Sequence, residues 1–333
     1  MRIFITGAGG FIGSFVARKL VNSGHDIVCL GRASSRFDRI DDLPFVRVLG
    51  DVRDVESLRA AMAGCDHTIH LAAPGAWEQD DPRLLADVLE GGTRNVLNVA
   101  AALENHRVVV VSSTAAIACS DTPIVFDERN TFSVPDQNLY YAFAKHRAET
   151  IAAEAFMRGV AVIVVNPAEV YGPDDTALVT AGNLVDLATS TPVLVSDGGT
   201  CVVHVEDVAV GIIAALERGR PGERYILGGE NVTIRELAML VLELTGRRAP
   251  IVSVPRWLVR LTARIAIRLN LKLSFNPHVV PYATWYWFVD SAKARTELGV
   301  CFRGARDTIA DALAWLERTG QVKARSPERD RSA

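Results

Sequence analysis

Tyr141 and Lys145 stand four residues apart in the run YAFAK. On a helix that spacing puts both side chains on one face, about one turn apart. Tyr140 is rotated by roughly 100° and meets only Ala144 at the matching position, so Tyr141 is the candidate acid/base. A phenol ordinarily titrates near pH ~10. The Lys145 ammonium, with an oxidised nicotinamide ring close by, favours the phenolate and moves the group toward working pH. The chemistry that suits such a pair is hydride transfer at a carbon whose oxygen exchanges its proton with Tyr141. Ser112, Ser113 and Thr114 follow the apolar run RVVVV. A hydroxyl at that strand end can polarise a carbonyl, and Thr114 and Ser113 are the two candidates.

A nicotinamide needs a seat, and the first apolar run supplies one. Residues 2–6 lead into Gly7-Ala8-Gly9-Gly10-Phe11-Ile12-Gly13. Gly7 permits a tight strand-to-helix turn, Gly10 lets a pyrophosphate approach the backbone, and Gly13 lets the helix pack close to the sheet. The helix start then offers free N–H groups and a positive dipole end. Gly7, Gly10, Phe11, Ile12 and Gly13 are therefore candidate phosphate-binding residues. The second run ends Leu30-Gly31-Arg32-Ala33-Ser34-Ser35-Arg36, and its first acid, Asp38, comes late. Arg32, with Ser34, Ser35 or Arg36, could hold a 2′-phosphate by charge-assisted bonds, and Arg32 and Ser35 are the candidates. The expected cofactor is NADP, with NAD as the alternative.

The elements that must position these groups are legible as runs. Residues 2–6, 26–30, 45–48, 68–71, 107–112 and 160–165 read as strands. Residues 11–23, 82–104 and 140–158 read as helices. The strands are continuous β-branched runs, as in strands buried on both faces of a parallel sheet. The expected fold is α/β, a doubly wound parallel sheet (Rossmann) with a smaller C-terminal substrate-binding domain. Residues 1–171, with 201–227 returning to them, would bind the dinucleotide. Residues 172–200 and 228–321 would form the substrate lid, and 322–333 a flexible tail. Helices are expected at 183–189, 208–218 and 233–245, the last opened by a Thr233–Glu236 capping box. Asp51 would cap a helix over 52–62.

The chain has 333 residues, with 36 Lys and Arg against 39 Asp and Glu, a net charge of −3. That balance argues against nucleic-acid partners. Five scattered cysteines read as free thiols of a reducing compartment, and the seven histidines have no metal-ligand spacing. No leader or membrane span is visible, so a cytoplasmic protein is expected. Arg256, Arg260, Arg264, Arg268 and Lys272 recur every four residues. A helix over 256–272 would then be a solvated lid face, with peripheral contact to an anionic membrane as the functional alternative. The aromatic cluster at 281–288 reads as core or pocket wall.

The ordered motifs TGAGGFIG (6–13), GDVRD (50–54), HLAA (70–73), GTRNVL (92–97), VVSST (110–114), YAFAK (141–145), NPAEVYGP (166–173) and HVEDVA (204–209) resemble the extended short-chain dehydrogenases/reductases, the NAD(P)-dependent epimerase/dehydratase superfamily. GERYILGGENVTIRELA (222–238), Pro255-Arg256-Trp257-Leu258 and FVDSAKARTELG (288–299) are similar to its dihydroflavonol reductase-like branch, within it the hopanoid-associated sugar epimerase group. The resemblance implies that Asp51 and Val52 flank the adenine, and that Leu71, Ala72 and Ala73 line the nicotinamide ribose. It adds Ser112, Asn166 and Pro167 to the cofactor set, gives Lys145 the ribose hydroxyls, and puts Thr114 on the substrate oxygen with Ser113 as the alternative. Glu169 and Tyr171 would face the substrate, and Asn95 would lie near the cofactor. Homodimers are common in the group.

Two departures bear on activity. The dehydratases' Asp-Glu pair is replaced by Ala115 and Ala116, and residues 198–203 lack the arginine that sugar-nucleotide enzymes use for a diphosphate. A ketone/alcohol oxidoreductase is therefore expected ahead of an NDP-sugar 4-epimerase, with a non-catalytic dinucleotide sensor third.

Overall fold

Seven short apolar runs assemble into one parallel sheet in the computed structural model, which describes residues 1–74, 81–103, 106–269 and 280–323. The strands are β1 (Arg2–Thr6), β2 (Asp26–Gly31), β3 (Val46–Leu49), β4 (His67–His70), β5 (Arg107–Val111), β6 (Ala161–Pro167) and, beyond three further strands, β10 (Arg224–Leu227). Their order is β10-β6-β5-β4-β1-β2-β3. In β1, β2, β5 and β6 alternate residues feed two separate cores. Ile3 and Ile5 join the core under helices α1 (Phe11–Asn22) and α7 (Val205–Arg218). Phe4 joins the core under α2 (Val55–Met62), α4 (Gly92–Ala100) and α5 (Tyr140–Met157). Both faces are covered, which is why these runs are unbroken rather than alternating. The winding reverses between β1 and β4, so a crevice opens at their carboxyl ends.

Beyond β6 the chain builds smaller sheets. β7 (Glu169–Tyr171), β9 (Gly199–His204) and β11 (Glu230–Thr233) form one, and β8 (Val193–Ser196) pairs with β12 (Ile251–Val254). Tyr171, Leu184, Val241 and Trp315 share a separate core under α6 (Ala181–Thr189), α8 (Ile234–Thr245) and α11 (Ala305–Arg318). The Thr233–Glu236 capping box at the start of α8 is present in both directions.

Two local expectations are corrected. The helix expected over 82–104 is α3 (Pro82–Leu85), a π-helical stretch Ala86–Gly91 and then α4. One extra residue per turn there seats Leu85 and Leu89 against Ala144 of α5. Asp51 does not cap α2. A turn intervenes, and Asp54 accepts the Glu56 N–H instead. All five cysteines are free, four of them buried. Among the described residues no helix is long and apolar enough to cross a membrane. Lys272, His278 and residues 324–333 of the expected tail lie outside the described residues.

Candidate active site

Gly7 sits at φ +77°, and a Cβ on it would lie 2.8 Å from the Leu71 carbonyl carbon and 2.9 Å from the Ala72 nitrogen. A Cβ on Gly13 would fall 2.1 Å from the Gly7 oxygen. Only glycines let strand, helix and the β4 end meet this closely. α1 begins after Gly10, without a side-chain cap and without an acid in its first turn. Its N–H groups and positive end are left uncompensated at the crevice, with Phe11 and Ile12 half-buried in that turn. The corner thus fits a dinucleotide pyrophosphate. Leu71 N–H donates to the Thr6 carbonyl and Ala72 N–H to Thr6 Oγ1, both at 3.1 Å. Thr6 Oγ1 in turn pairs with His70 Nδ1 at 2.8 Å, and His70 Nε2 with Thr93 Oγ1 at 3.2 Å. Residues 71–73 are held over the glycines in this way. Burial pushes His70 down to about 3, so it is a neutral structural histidine.

At the far end of the crevice, Arg32 is exposed and its N–H donates to Ser35 Oγ at 2.9 Å, which closes the loop after β2. Ser35 therefore shapes the turn that presents Arg32. Arg36 pairs with Asp38 at 2.6 Å. Asp51 pairs with Arg53 at 2.7 Å, and that bond holds its carboxyl below the usual carboxylate range. Val52 is buried, and Asn95 Nδ2 donates to its carbonyl at 3.0 Å, so Asn95 anchors the loop. Sequence reading missed Arg39. It reaches the Gly9 carbonyl at 3.0 Å and the Asp174 carbonyl at 3.0 Å, tying the glycine corner to the loop after β7. No local pattern marks such a long-range tie.

The catalytic candidates line one face of α5. Lys145 is buried, donates to the Val111 carbonyl at 2.8 Å and lies 5.7 Å from the Tyr141 ring centre. Burial pushes Lys145 down to about 8, against the pull of Glu149. Tyr141 corrects the expectation of a lowered phenol. Burial raises it to about 12, and the Ser113 hydroxyl beside it only partly offsets this. Desolvation of the phenolate is the larger influence here. The nearby hydroxyl is that of Ser113, which also accepts the Ala115 N–H at 3.2 Å. Thr114 is buried and starts a short 3₁₀ turn, Thr114–Ala116.

Ser112 and Asn166 turn their polar groups to a partner that sequence reading overlooked. Glu149 Oε1 accepts from Ser112 Oγ at 2.5 Å and from Asn166 Nδ2 at 2.5 Å, and Glu149 Oε2 accepts from Arg224 Nη1 at 3.2 Å. Asn166 Nδ2 also reaches the Ser113 carbonyl at 2.9 Å. Burial raises the Glu149 pKa while these donors lower it. Its signal was available, since Tyr141, Lys145 and Glu149 continue one spacing of four. Pro167, also buried, ends β6 beside this network.

Tyr141 packs against the cluster that holds Trp285 and Trp287, as do Phe132, Phe143 and Tyr282, and Tyr141 helps hold the Tyr282 phenol up. Glu169 and Tyr171 are placed elsewhere. Tyr171 belongs to the core under α6 and α8, and Glu169 accepts from Asn183 Nδ2 at 2.9 Å. Burial pushes the Glu169 carboxyl up. The buried Tyr171 hydroxyl lies against Glu169 and Asn183 without completing a hydrogen bond.

Residues 3–228 match the model of the NAD dependent epimerase/dehydratase family. A relative from Synechocystis sp. carrying the name dihydroflavonol 4-reductase is 33% identical over 96% of each chain. The sterol demethylase protein B of Methylococcus capsulatus is 30% identical over 97% of this chain and 100% of its own. Among solved structures, a nucleoside-diphosphate-sugar epimerase from Pseudomonas aeruginosa superposes with a TM-score of 0.80 at 25% identity, covering 97% of this chain and 99% of that one.

Proposed function

The chain belongs to the NAD dependent epimerase/dehydratase family and is one of its enzymes, and from that premise we propose an NADP-dependent oxidoreductase acting on a ketone or secondary alcohol. One observation carries the reading: a half-buried Tyr141 lies beside the Ser113 hydroxyl and a buried Lys145. Gly7, Gly10, Phe11, Ile12 and Gly13 would hold the pyrophosphate, Asp51 and Val52 the adenine, and Arg32 a 2′-phosphate. Leu71, Ala72, Ala73 and Lys145 would hold the nicotinamide ribose, with the backbone of Ser112, Asn166 and Pro167 behind it. In this division residues 1–171 and 201–227 bind the cofactor, and 172–200 with 228–321 select the substrate. A bound reduced nicotinamide supplies the hydride that the carbonyl carbon gains.

Tyr141 gives its proton to the carbonyl oxygen, so the ketone leaves as an alcohol. Ser113 or Thr114 hydrogen-bonds that oxygen and fixes the carbonyl plane against Tyr141. The Lys145 ammonium stabilises the phenolate left behind. The aromatic cluster keeps water from the phenol and strengthens each of these interactions. Ala115 and Ala116 are buried, so no carboxylate is available there for removing water from a sugar, which argues against dehydration. Glu169 and Tyr171 would bear on the substrate through Asn183 rather than by facing Tyr141.

The test is NADPH and NADH oxidation against a ketone panel, run beside UDP-sugar interconversion. Tyr141→Phe should lower kcat by roughly 10²–10⁴-fold while NADPH affinity stays within about twofold. Wild-type turnover by that variant overturns the reading, and UDP-sugar interconversion without net oxidation would favour the 4-epimerase. Arg32→Asp should weaken NADPH more than NADH. An unchanged preference removes the 2′-phosphate assignment.

A further inference from the structure

Helix α9 (Arg256–Arg268) buries only Ala263 and Ala266. Turning 100° per residue, Trp257, Leu258, Leu261, Ile265 and Leu269 just beyond its end fall on one arc of about 120°. That arc faces solvent: Trp257 is 66% exposed, Leu261 and Ile265 45% each, and Leu269 63%. Its arginines divide into two pairs. Arg256 turns inward to Asp121 at 3.0 Å. Arg260 bonds Thr284 Oγ1 at 2.8 Å and stacks on the Trp285 ring at 3.8 Å. Arg264 and Arg268 are exposed along the Trp257 edge of the arc and make no ion pair among the described residues. Of the residues expected on a solvated lid face, Arg256 and Arg260 are instead tied to Asp121 and Thr284, and Lys272 lies outside the described residues. Two of the arginines are thus tied to partners of the chain, and the other two flank an apolar surface.

We propose that α9 docks on an anionic lipid bilayer. Its apolar arc would enter the boundary between headgroups and acyl chains, with Arg264 and Arg268 on the lipid phosphates. An exposed tryptophan and branched aliphatic residues beside cations are what an interfacial helix presents to such a surface. A second copy of the chain fits less well. A twofold contact sets the same patch against itself and would bring these arginines toward their own copies. The helix also adjoins the site. Trp285, on which Arg260 stacks, belongs to the aromatic cluster against which Tyr141 packs. A bilayer at α9 would thus lie next to the cluster against which Tyr141 packs, and the substrate class that docking would deliver is an apolar ketone or alcohol that partitions into lipid. This second half rests on the oxidoreductase reading, and the docking half does not.

The experiment is flotation of the full chain with phosphatidylcholine vesicles, with and without phosphatidylglycerol. The chain should float with the anionic vesicles and lose most of that binding in high salt. Trp257→Ser/Leu261→Ser/Ile265→Ser and Arg264→Glu/Arg268→Glu should each lower partitioning at least roughly tenfold. The urea midpoint without vesicles should be unchanged in both variants, since all five side chains are exposed and α9 buries only Ala263 and Ala266. Equal flotation with neutral vesicles, no flotation, or variants that bind like the parent overturns the docking. A dimer in size-exclusion chromatography that the triple serine variant splits, with no vesicle binding, assigns the face to a second copy instead. Vesicle binding without turnover of any ketone leaves the docking standing and removes the oxidoreductase reading.

Discussion

Helices α5 and α9 both combine cations with aromatic neighbours, and the fold treats them in opposite ways. In α5, Lys145 and Glu149 are 5% and 8% exposed. Each charge has near partners, the Val111 carbonyl for Lys145 and Ser112, Asn166 and Arg224 for Glu149. In α9 two arginines find partners, two remain in solvent, and five large apolar side chains stay outside. Burying an ion costs several kcal/mol unless bonds offset it. Such bonds hold a side chain in one geometry, and a proton-transfer site needs that. A surface that must meet a deformable partner needs the reverse, with apolar groups left unburied.

Removing the α5 hub should have the largest effect. Glu149→Ala takes the acceptor from Ser112 Oγ and one acceptor each from Asn166, which keeps the Ser113 carbonyl, and Arg224, which keeps the Glu128 and Asn130 carbonyls, so about 1–3 kcal/mol of stability should be lost in urea unfolding. Glu149→Gln should retain part of the stability. It should also move the alkaline limb of kcat to lower pH, because Glu149 is what raises Lys145 toward its value of about 8. A loss below about 1 kcal/mol for Glu149→Ala would dissolve the contrast with α9.

An intermediate effect belongs to pH. His70 and His106 are held down to about 3 and about 4 by burial. Unfolded, both titrate near the ordinary histidine value of ~6.5. The unfolded chain then binds more protons between these values. Their contribution is fully present above pH ~6.5 and is lost as pH falls to about 4 for His106 and about 3 for His70, with a slope approaching two protons where both windows overlap. Lys145, lowered from 10.5 to about 8, works in a different window. The unfolded chain again binds the extra proton, so this group's contribution grows as pH rises from about 8 to ~10.5. Urea midpoints measured across pH check both signs.

The smallest effect is expected in α9. Leu261→Ser should change stability by less than about 0.5 kcal/mol, as exposed positions do. A loss of 2 kcal/mol or more by the same urea titration would mean that the arc is packed in solution.

Much of the first half was legible because its signals are local. The runs at 2–6 and 107–112 became β1 and β5 to within a residue, and the capping box at Thr233 formed as read. The glycine triplet and the Tyr141–Lys145 spacing depend only on neighbours along the chain. Asp54 replaced Asp51 as the cap because an intervening turn delays the helix, which composition does not reveal. The second lobe was harder to read. Arg256 and Arg260 find Asp121, which is 135 and 139 positions away, and no periodicity contains that distance.

What the chain determines by itself is what backbone sterics and helical spacing can impose: where glycine permits a close turn, which runs bury both faces, and that a phenol, an ammonium and a carboxylate share one side of α5. Tertiary packing decided the rest. It alone set the direction in which the Tyr141 phenol shifts, which hydroxyl stands beside it, and which arginines of α9 remain free. Desolvation and long-range partners govern those outcomes, and both come into being only when distant segments close around a group and exclude water.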